Sequence, residues 1–312
     1  MSFAPEAGSE VRRTLSTVVD VEMTDMSVSQ GGVEVPLPEG LEITFSYSEE
    51  VSVVDRFGAI EDDRMVGLNR KFETVSANNS TSSPEGELDV ALASELEGAS
   101  VVFNWDGDES AYSIAFAEEE EGDADLLEDL EFDMDAAFLL PREGVEEGST
   151  WQLDPGYVQR ITELAGDLNL EPEEEAEEDL VQELIEEASD NMDGEFEATF
   201  VGFTDEDGVR VAEISLAGEV SGEAEGSDTL ETETPDGQTI EVESDANVVL
   251  TNDVEGTLLW NVEAGRMHSL VFSNDMSIQT SINQTVEAFG VESQQELTLE
   301  GNHELTVEVE GL

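Results

Sequence analysis

Two stretches of this chain alternate apolar and polar side chains for longer than an ordinary strand. Leu41, Ile43, Phe45, Tyr47, Val51 and Val53 share one parity, and so do Val248, Leu250, Val254, Leu258, Trp260 and Val262. A period of two puts one face of a strand in a core and the other in water. Most strands run about 3–10 residues. Runs of this length predict a long, curved sheet or a barrel rather than a small sandwich.

The same pattern recurs along most of the chain. Leu15, Thr17, Val19, Val21 and Met23 form one row, and the parity flips after Thr24 to Met26 and Val28, which predicts a bulge. Gly31-Gly32, Pro36 and Pro38 end that run. Val66, Leu68 and Phe72 continue the theme, and Asn78–Gly86 (NNSTSSPEG) reads as a flexible loop. Val101, Phe103 and Trp105 lead into Asp106-Gly107, a two-residue hairpin signal, and Tyr112, Ile114 and Phe116 return. After Phe196 the alternation resumes, with hairpin signals at Asp207-Gly208 and Asp236-Gly237. It ends in the rows Leu270, Phe272, Met276, Ile278, Ile282, Val286 and Leu297, Leu299, Leu305, Val307, Val309. Residues 1–10 are small and polar and are expected to be loose.

The middle of the chain has a different period. Leu126, Leu127, Leu130, Met134, Ala137 and Phe138 are spaced as a helix that ends before Pro141. Asp154-Pro155 opens a second, with Tyr157, Val158, Ile161, Leu164 and Ala165. A third starts near Pro172, where Glu173–Glu175 suit the helix dipole, and carries Leu180, Val181, Leu184, Ile185 and Ala188. Phe138–Leu153 reads as a buried crossing. The expected architecture is mainly β: long antiparallel strands in a curved sheet, half-barrel or barrel, with a helical segment (about 122–190) packed on it. A single domain is expected, made of a β block at 10–117, a helical and crossing segment at 118–192 and a β block at 193–312. Neither block can bury its apolar face alone.

Charge narrows the setting. The chain has 79 acidic and 10 basic residues, a net charge of −69, and Lys71 is its one lysine. A compact fold of this mass exposes about 13,000 Å². The net charges then lie roughly 14 Å apart, against a Debye length of about 8 Å at physiological salt and about 3 Å at 1 M. Self-repulsion therefore opposes folding at low salt, and molar salt removes it. Acid-rich, lysine-poor sequence spread through both blocks reads as solvation by a salt-adapted organism, with solvent cations as the counter-charge. With no basic patch to displace counterions from phosphate, nucleic acid is not a partner. The chain has no cysteine, which excludes disulfides and thiolate chemistry. No window of 18 apolar residues reads as a transmembrane span. The opening MSFAPEAGSEVRR lacks the pattern of a signal peptide, as would a mature chain whose signal had been removed.

Chemistry is sparse. His268 shares the parity of Leu270 and Phe272, so it is expected to point inward, near Trp260 across a hairpin. A hydrogen-bonded core or rim histidine is the plainer reading. His303, after Gly301-Asn302, reads as a loop-edge residue. Paired carboxylates could hydrolyse a glycoside, but 79 acids give every spacing by chance. The Asp-Gly sites fail the EF-hand register, leaving Asp106/Asp108 and Asp205/Asp207 as solvated turn acids or casual cation contacts. No phosphate loop, GxSxG or HExxH occurs, so no cofactor, metal site or catalytic residue is assigned. Phe132, Phe138, Trp151 and Tyr157 could line a pocket or simply fill core. The expected function is a non-catalytic binding or carrier protein holding an apolar ligand or a protein partner, with His268, Trp260 and Trp151 as candidate contacts. A structural or adhesive protein stabilised by cations, and a hydrolase using carboxylates, are the alternatives.

Pro141, Val145, Gly148 and Trp151 fit the pattern P-x-x-x-V-x-x-G-x-x-W. That segment resembles one in uncharacterised, exported, β-rich bacterial proteins. The resemblance covers about a dozen residues and implies a periplasmic or extracellular location and no mechanism.

Overall fold

The computed structural model describes residues 1–37, 41–61, 64–84, 86–117, 122–170, 180–206, 208–233, 239–286 and 291–312. The strands in chain order are β1 (Glu10–Gln30), β2 (Val33–Glu34), β3 (Thr44–Phe57), β4 (Ile60–Glu61), β5 (Arg64–Met65), β6 (Gly67–Ser83), β7 (Gly86–Ala93), β8 (Ser100–Asp106) and β9 (Ala111–Phe116). After them come β10 (Thr150–Gln152), β11 (Asp193–Glu206), β12 (Val209–Glu233), β13 (Thr239–Asn261), β14 (Arg266–Val286) and β15 (Val291–Gly311). Among the described residues, two α-helices, α1 (Tyr157–Thr162) and α2 (Leu180–Asp190), lie between β10 and β11.

The expected mainly β architecture is what forms. One curved antiparallel sheet of 13 strands runs in the order β10-β11-β12-β13-β14-β15-β1-β3-β6-β8-β9, with β2 beside β1 and β7 beside β6. It stays open, so a curved sheet is the form realised, not the closed barrel. The last long strand, β15, pairs with β1 from Val11↔Gly311 to Gln30↔Ser293, and this seam fuses the two β blocks. The predicted parity flip after Thr24 is a bulge between Met23 and Asp25.

The apolar parity of the long strands faces the concave side, while β4 and β5 pair in a small sheet of their own. One row across the sheet reads Ile214, Leu258, Leu270, Val307, Leu15, Val51 and Val75, and all are 3% exposed or less. The segment from 122 to 170 covers this end. It buries Leu127, Leu130, Met134, Leu139, Val158, Ile161 and Leu164 against the strands. Full burial of a Leu, Ile or Met side chain contributes about 1.5–3 kcal/mol, so this cover anchors itself firmly. α2 covers a separate patch. Leu184 and Ala188 pack on Ala224, Ala246, Val248 and Leu250. Gly222 makes that contact possible, because a Cβ there would lie 1.8 Å from the Ala188 carbonyl oxygen.

Several local expectations need correction. Residues 124–139 form two 3-10 turns, Ala124–Leu127 and Ala137–Leu139, rather than one helix. The carbonyls a helix would use are taken: Arg70 donates to Glu131 O at 2.6 Å and Phe132 O at 3.2 Å. The Asp133 carboxylate competes too, accepting from the amides of Asp135 and Ala137, and Ala136 adopts φ +51°. Asn78–Ser83 is strand, not loop, because it pairs with β3 and β7. Asp106-Gly107 opens a wider turn, since Asp106 pairs with Ala111 and its carboxylate accepts from Asp108 N and Glu109 N. The N-terminal residues are docked, not loose. Ala4 N donates to Gly265 O, Met1 and Phe3 pack on the core, and Phe3 meets Phe57 edge-on. Glu206 pairs directly with Val209, closing the hairpin whose Asp207 lies outside the described residues. Pro38, Pro172 with Glu173–Glu175, and Asp236-Gly237 also lie outside them.

Candidate ligand-binding face

The crossing segment is held by a buried ion cluster. Arg13 of β1 and Arg70 of β6 are fully buried, and both donate to Asp55 of β3. Arg13 also pairs with Asp135 of the crossing segment, whose other oxygen accepts from Met267 N at 3.0 Å. Burial works against the Arg13 charge, but Asp135 and Asp55 more than offset it and raise its pKa. Burial raises the Asp135 carboxyl, partly countered by Arg13. Phe57 and Phe103 lie within 5.4 Å of the two guanidinium groups. Three strands thus meet one loop through matched charges, and β14 joins them through the Met267 amide. The cluster is closed to a ligand, and its chemistry is adhesive.

The accessible part of the concave side lies beyond this cover. A cleft of about 770 Å³ opens between β3, the 129–131 loop, α1 and α2. Tyr47, Glu49, Glu131, Arg160, Glu163, Leu168, Leu170, Glu186 and Asp190 line it. The Tyr47 hydroxyl donates to Glu49. Burial raises the carboxyls of Glu49 and Glu163. Arg160 pairs with Glu131 at 3.3 Å and lies over the Phe138 ring. Among the described residues no three His, Asp or Glu side chains converge to hold a metal ion.

The far half of the strands continues the concave face away from the cleft. Val21 and Met23 of β1, Met276 and Ile278 of β14, and Leu297 and Leu299 of β15 lie on this face and are half-buried. Phe45, in the same row as Val21, is 40% exposed. At the border between this trough and the covered core lies a row of different character. It runs Asn274, His303, Val19, Tyr47 across four adjacent strands. His303 is 4% exposed and sits mid-strand, which corrects the loop-edge expectation. The Gly301-Asn302 pair before it is not a turn: Gly301 lets β1 approach, and a Cβ there would meet Asp20 O at 2.4 Å. Burial depresses the His303 pKa to about 4, so the ring is neutral.

The three residues named from sequence do not form one site. Trp260 is fully enclosed in the core, and its indole N–H has no partner among the described residues. His268 is half-buried in a bulge opposite Leu259 and Trp260, while Met267 takes the inward place expected of it. Trp151 is three strands from Trp260 along the sheet order, at the β10 edge. It donates to Leu139 O at 3.1 Å and lines a separate hollow of about 430 Å³ with Phe138, Arg142 and Tyr157. Phe132 stacks on Tyr112 and packs on the core instead. Sequence reasoning missed Tyr47, Glu49, Asn274 and His303. Their one signal was polar residues falling on an apolar parity.

No known family model matches the chain, and no curated protein is significantly similar to it.

Proposed function

We propose that this protein is a non-catalytic carrier that holds a small apolar or amphipathic ligand on the open half of its concave face. The observation that supports it is the half-covered sheet. The near end is filled by its own chain, while the far end leaves apolar rows half-exposed beside a cleft of about 770 Å³. The acidic surface and the resemblance around Trp151 favour a salt-adapted, exported protein of the cell envelope.

Titration with the apolar fluorophore 1-aminoanthracene in molar salt tests the reading. Saturable binding that Met23→Glu weakens is expected. A probe that fails to bind, or binds equally well to Met23→Glu, overturns it. Hydrolysis is the second reading, because the raised Glu49 and Glu163 carboxyls share one cleft. A glycoside screen in molar salt that returned activity lost in Glu163→Gln would replace the carrier.

A further inference from the structure

The border row of the concave face carries polar groups without partners among the described residues. Asn274 is 4% exposed and donates to Asn252 Oδ1 at 2.8 Å, but its own Oδ1 has no hydrogen-bond partner there. Asn252 in turn reaches only Met192 Sδ, at 3.9 Å. Turning both amides over moves the mismatch and does not remove it, since two amides in a line always leave one end unmatched. The ring of His303, directly opposite Asn274 on the next strand and 4% exposed, makes no side-chain hydrogen bond to a described residue. Buried polar groups are nearly always satisfied, so the unmatched Asn274 Oδ1 calls for a reason. A core would have been simpler with leucine at both, as in the next inward row, Phe272 and Leu305.

Position supplies the reason. Along β14 and β15 the pair is followed immediately by the half-exposed Met276, Ile278, Leu299 and Leu297. A chain lying on those residues would bring its end to Asn274 and His303. An amide oxygen and a neutral imidazole ring can together accept from and donate to a hydroxyl, or accept from an amide N–H. A carboxylate fits poorly. Glu49, Glu163, Glu186 and Asp190 line the neighbouring cleft, and the ring carries no charge to pair with it.

We infer that Asn274 and His303 form the polar anchor of the concave face, seating a neutral hydrogen-bond donor at the end of an aliphatic chain that lies along the far half of the strands. This rests on the carrier reading and names the ligand class for it.

Displacement of 1-aminoanthracene by 1-decanol and by decyl methyl ether separates the two ideas. The ether has nearly the same chain and no donor. The wild-type protein should prefer the alcohol about tenfold, and Asn274→Leu and His303→Leu should each erase that preference while leaving ether binding unchanged. Asn274→Leu should keep or raise Tm, because it removes an unmatched buried group. With two histidines in the chain, the His303 ring signals in an NMR spectrum should move with decanol and not with the ether, while His268 stays still. Equal competition by alcohol and ether against wild type overturns the anchor and leaves the carrier standing, and so does an alcohol preference that survives in both variants. If the fluorophore never binds, the carrier reading falls and the anchor falls with it. Should Asn274→Leu not fold, His303→Leu and the ring signals distinguish the same outcomes.

Discussion

The two ends of the same strands differ in what lies on them. In the row through Leu15 seven strands contribute side chains that are all enclosed. Eight residues further along β1, the row through Met23, Leu299, Ile278 and Leu250 has the same kind of side chains on the same face. Only Leu250, beneath α2, is buried there. Alternation makes a face apolar, and a covering element makes it a core. The near end has such an element because Arg13, Asp55, Arg70 and Asp135 fasten it, whereas the far end has α2 mainly over β12 and β13, with Ile278 and Ile282 of β14 at its edge.

The contrast can be broken at its fastening. Asp135→Ala leaves Arg13 buried with half its partners, and should cost about 3–5 kcal/mol in urea unfolding at molar salt. The equivalent insult to the far end is far milder. Leu15→Ala should cost about 2–5 kcal/mol, as a cavity in a closed row, while Leu299→Ala should cost less than about 1 kcal/mol because water already reaches that row. Equal losses at both positions would show the far half to be core as well.

Acid sharpens the comparison, because the two regions respond with opposite signs. Asp133, beside the fastening, has its carboxyl pushed up to about 6 by burial and then by the Asp135 charge. Its folded pKa lies above its unfolded value near 4, so the native state gains stability as pH falls through 6, up to about 3 kcal/mol. His303 at the border has a folded value of about 4, below its unfolded value near 6.5. The native state therefore loses a similar amount, about 3 kcal/mol, as pH falls through that window. In wild type the two slopes oppose each other. Tm measured from pH 7.5 to 4.5 should fall more steeply in Asp133→Asn and less steeply in His303→Leu. Parallel profiles for all three proteins would remove both assignments.

The smallest effect belongs to the convex side. Glu195, Glu219, Asp253 and Asp275 stand directly opposite one another on four neighbouring strands. Like charges in that arrangement repel by about 0.2–1 kcal/mol per pair. Asp253→Asn should therefore raise Tm in 50 mM salt, and the gain should vanish at 1 M whether the cation is sodium or potassium. A gain that persists at 1 M would point to a role other than repulsion.

Much of the fold was legible because strand alternation is local. The bulge after Met23, the long rows of β13 and β14, and the mainly β class follow from the period alone. The 122–140 region misled for a physical reason. Its apolar spacing is helical, but Arg70 and Asp133 compete for the backbone groups a helix needs, and Arg70 arrives from far away in sequence. The candidate site was barely legible. Asn274 and His303 are separated by a hairpin and look like polar interruptions until the β14–β15 register sets them side by side.

Sequence by itself determined which face of each long strand is apolar, that the chain carries a net charge of −69, and that no cysteine chemistry is available. Those properties are sums over near neighbours and composition. Tertiary structure alone decided that the sheet stays open, which half of it is covered, and that an unmatched amide and a neutral histidine meet at the border. Such decisions depend on pairing between residues tens or hundreds of positions apart, and on buried charges like Arg13 and Asp135 that stabilise the fold only once they meet.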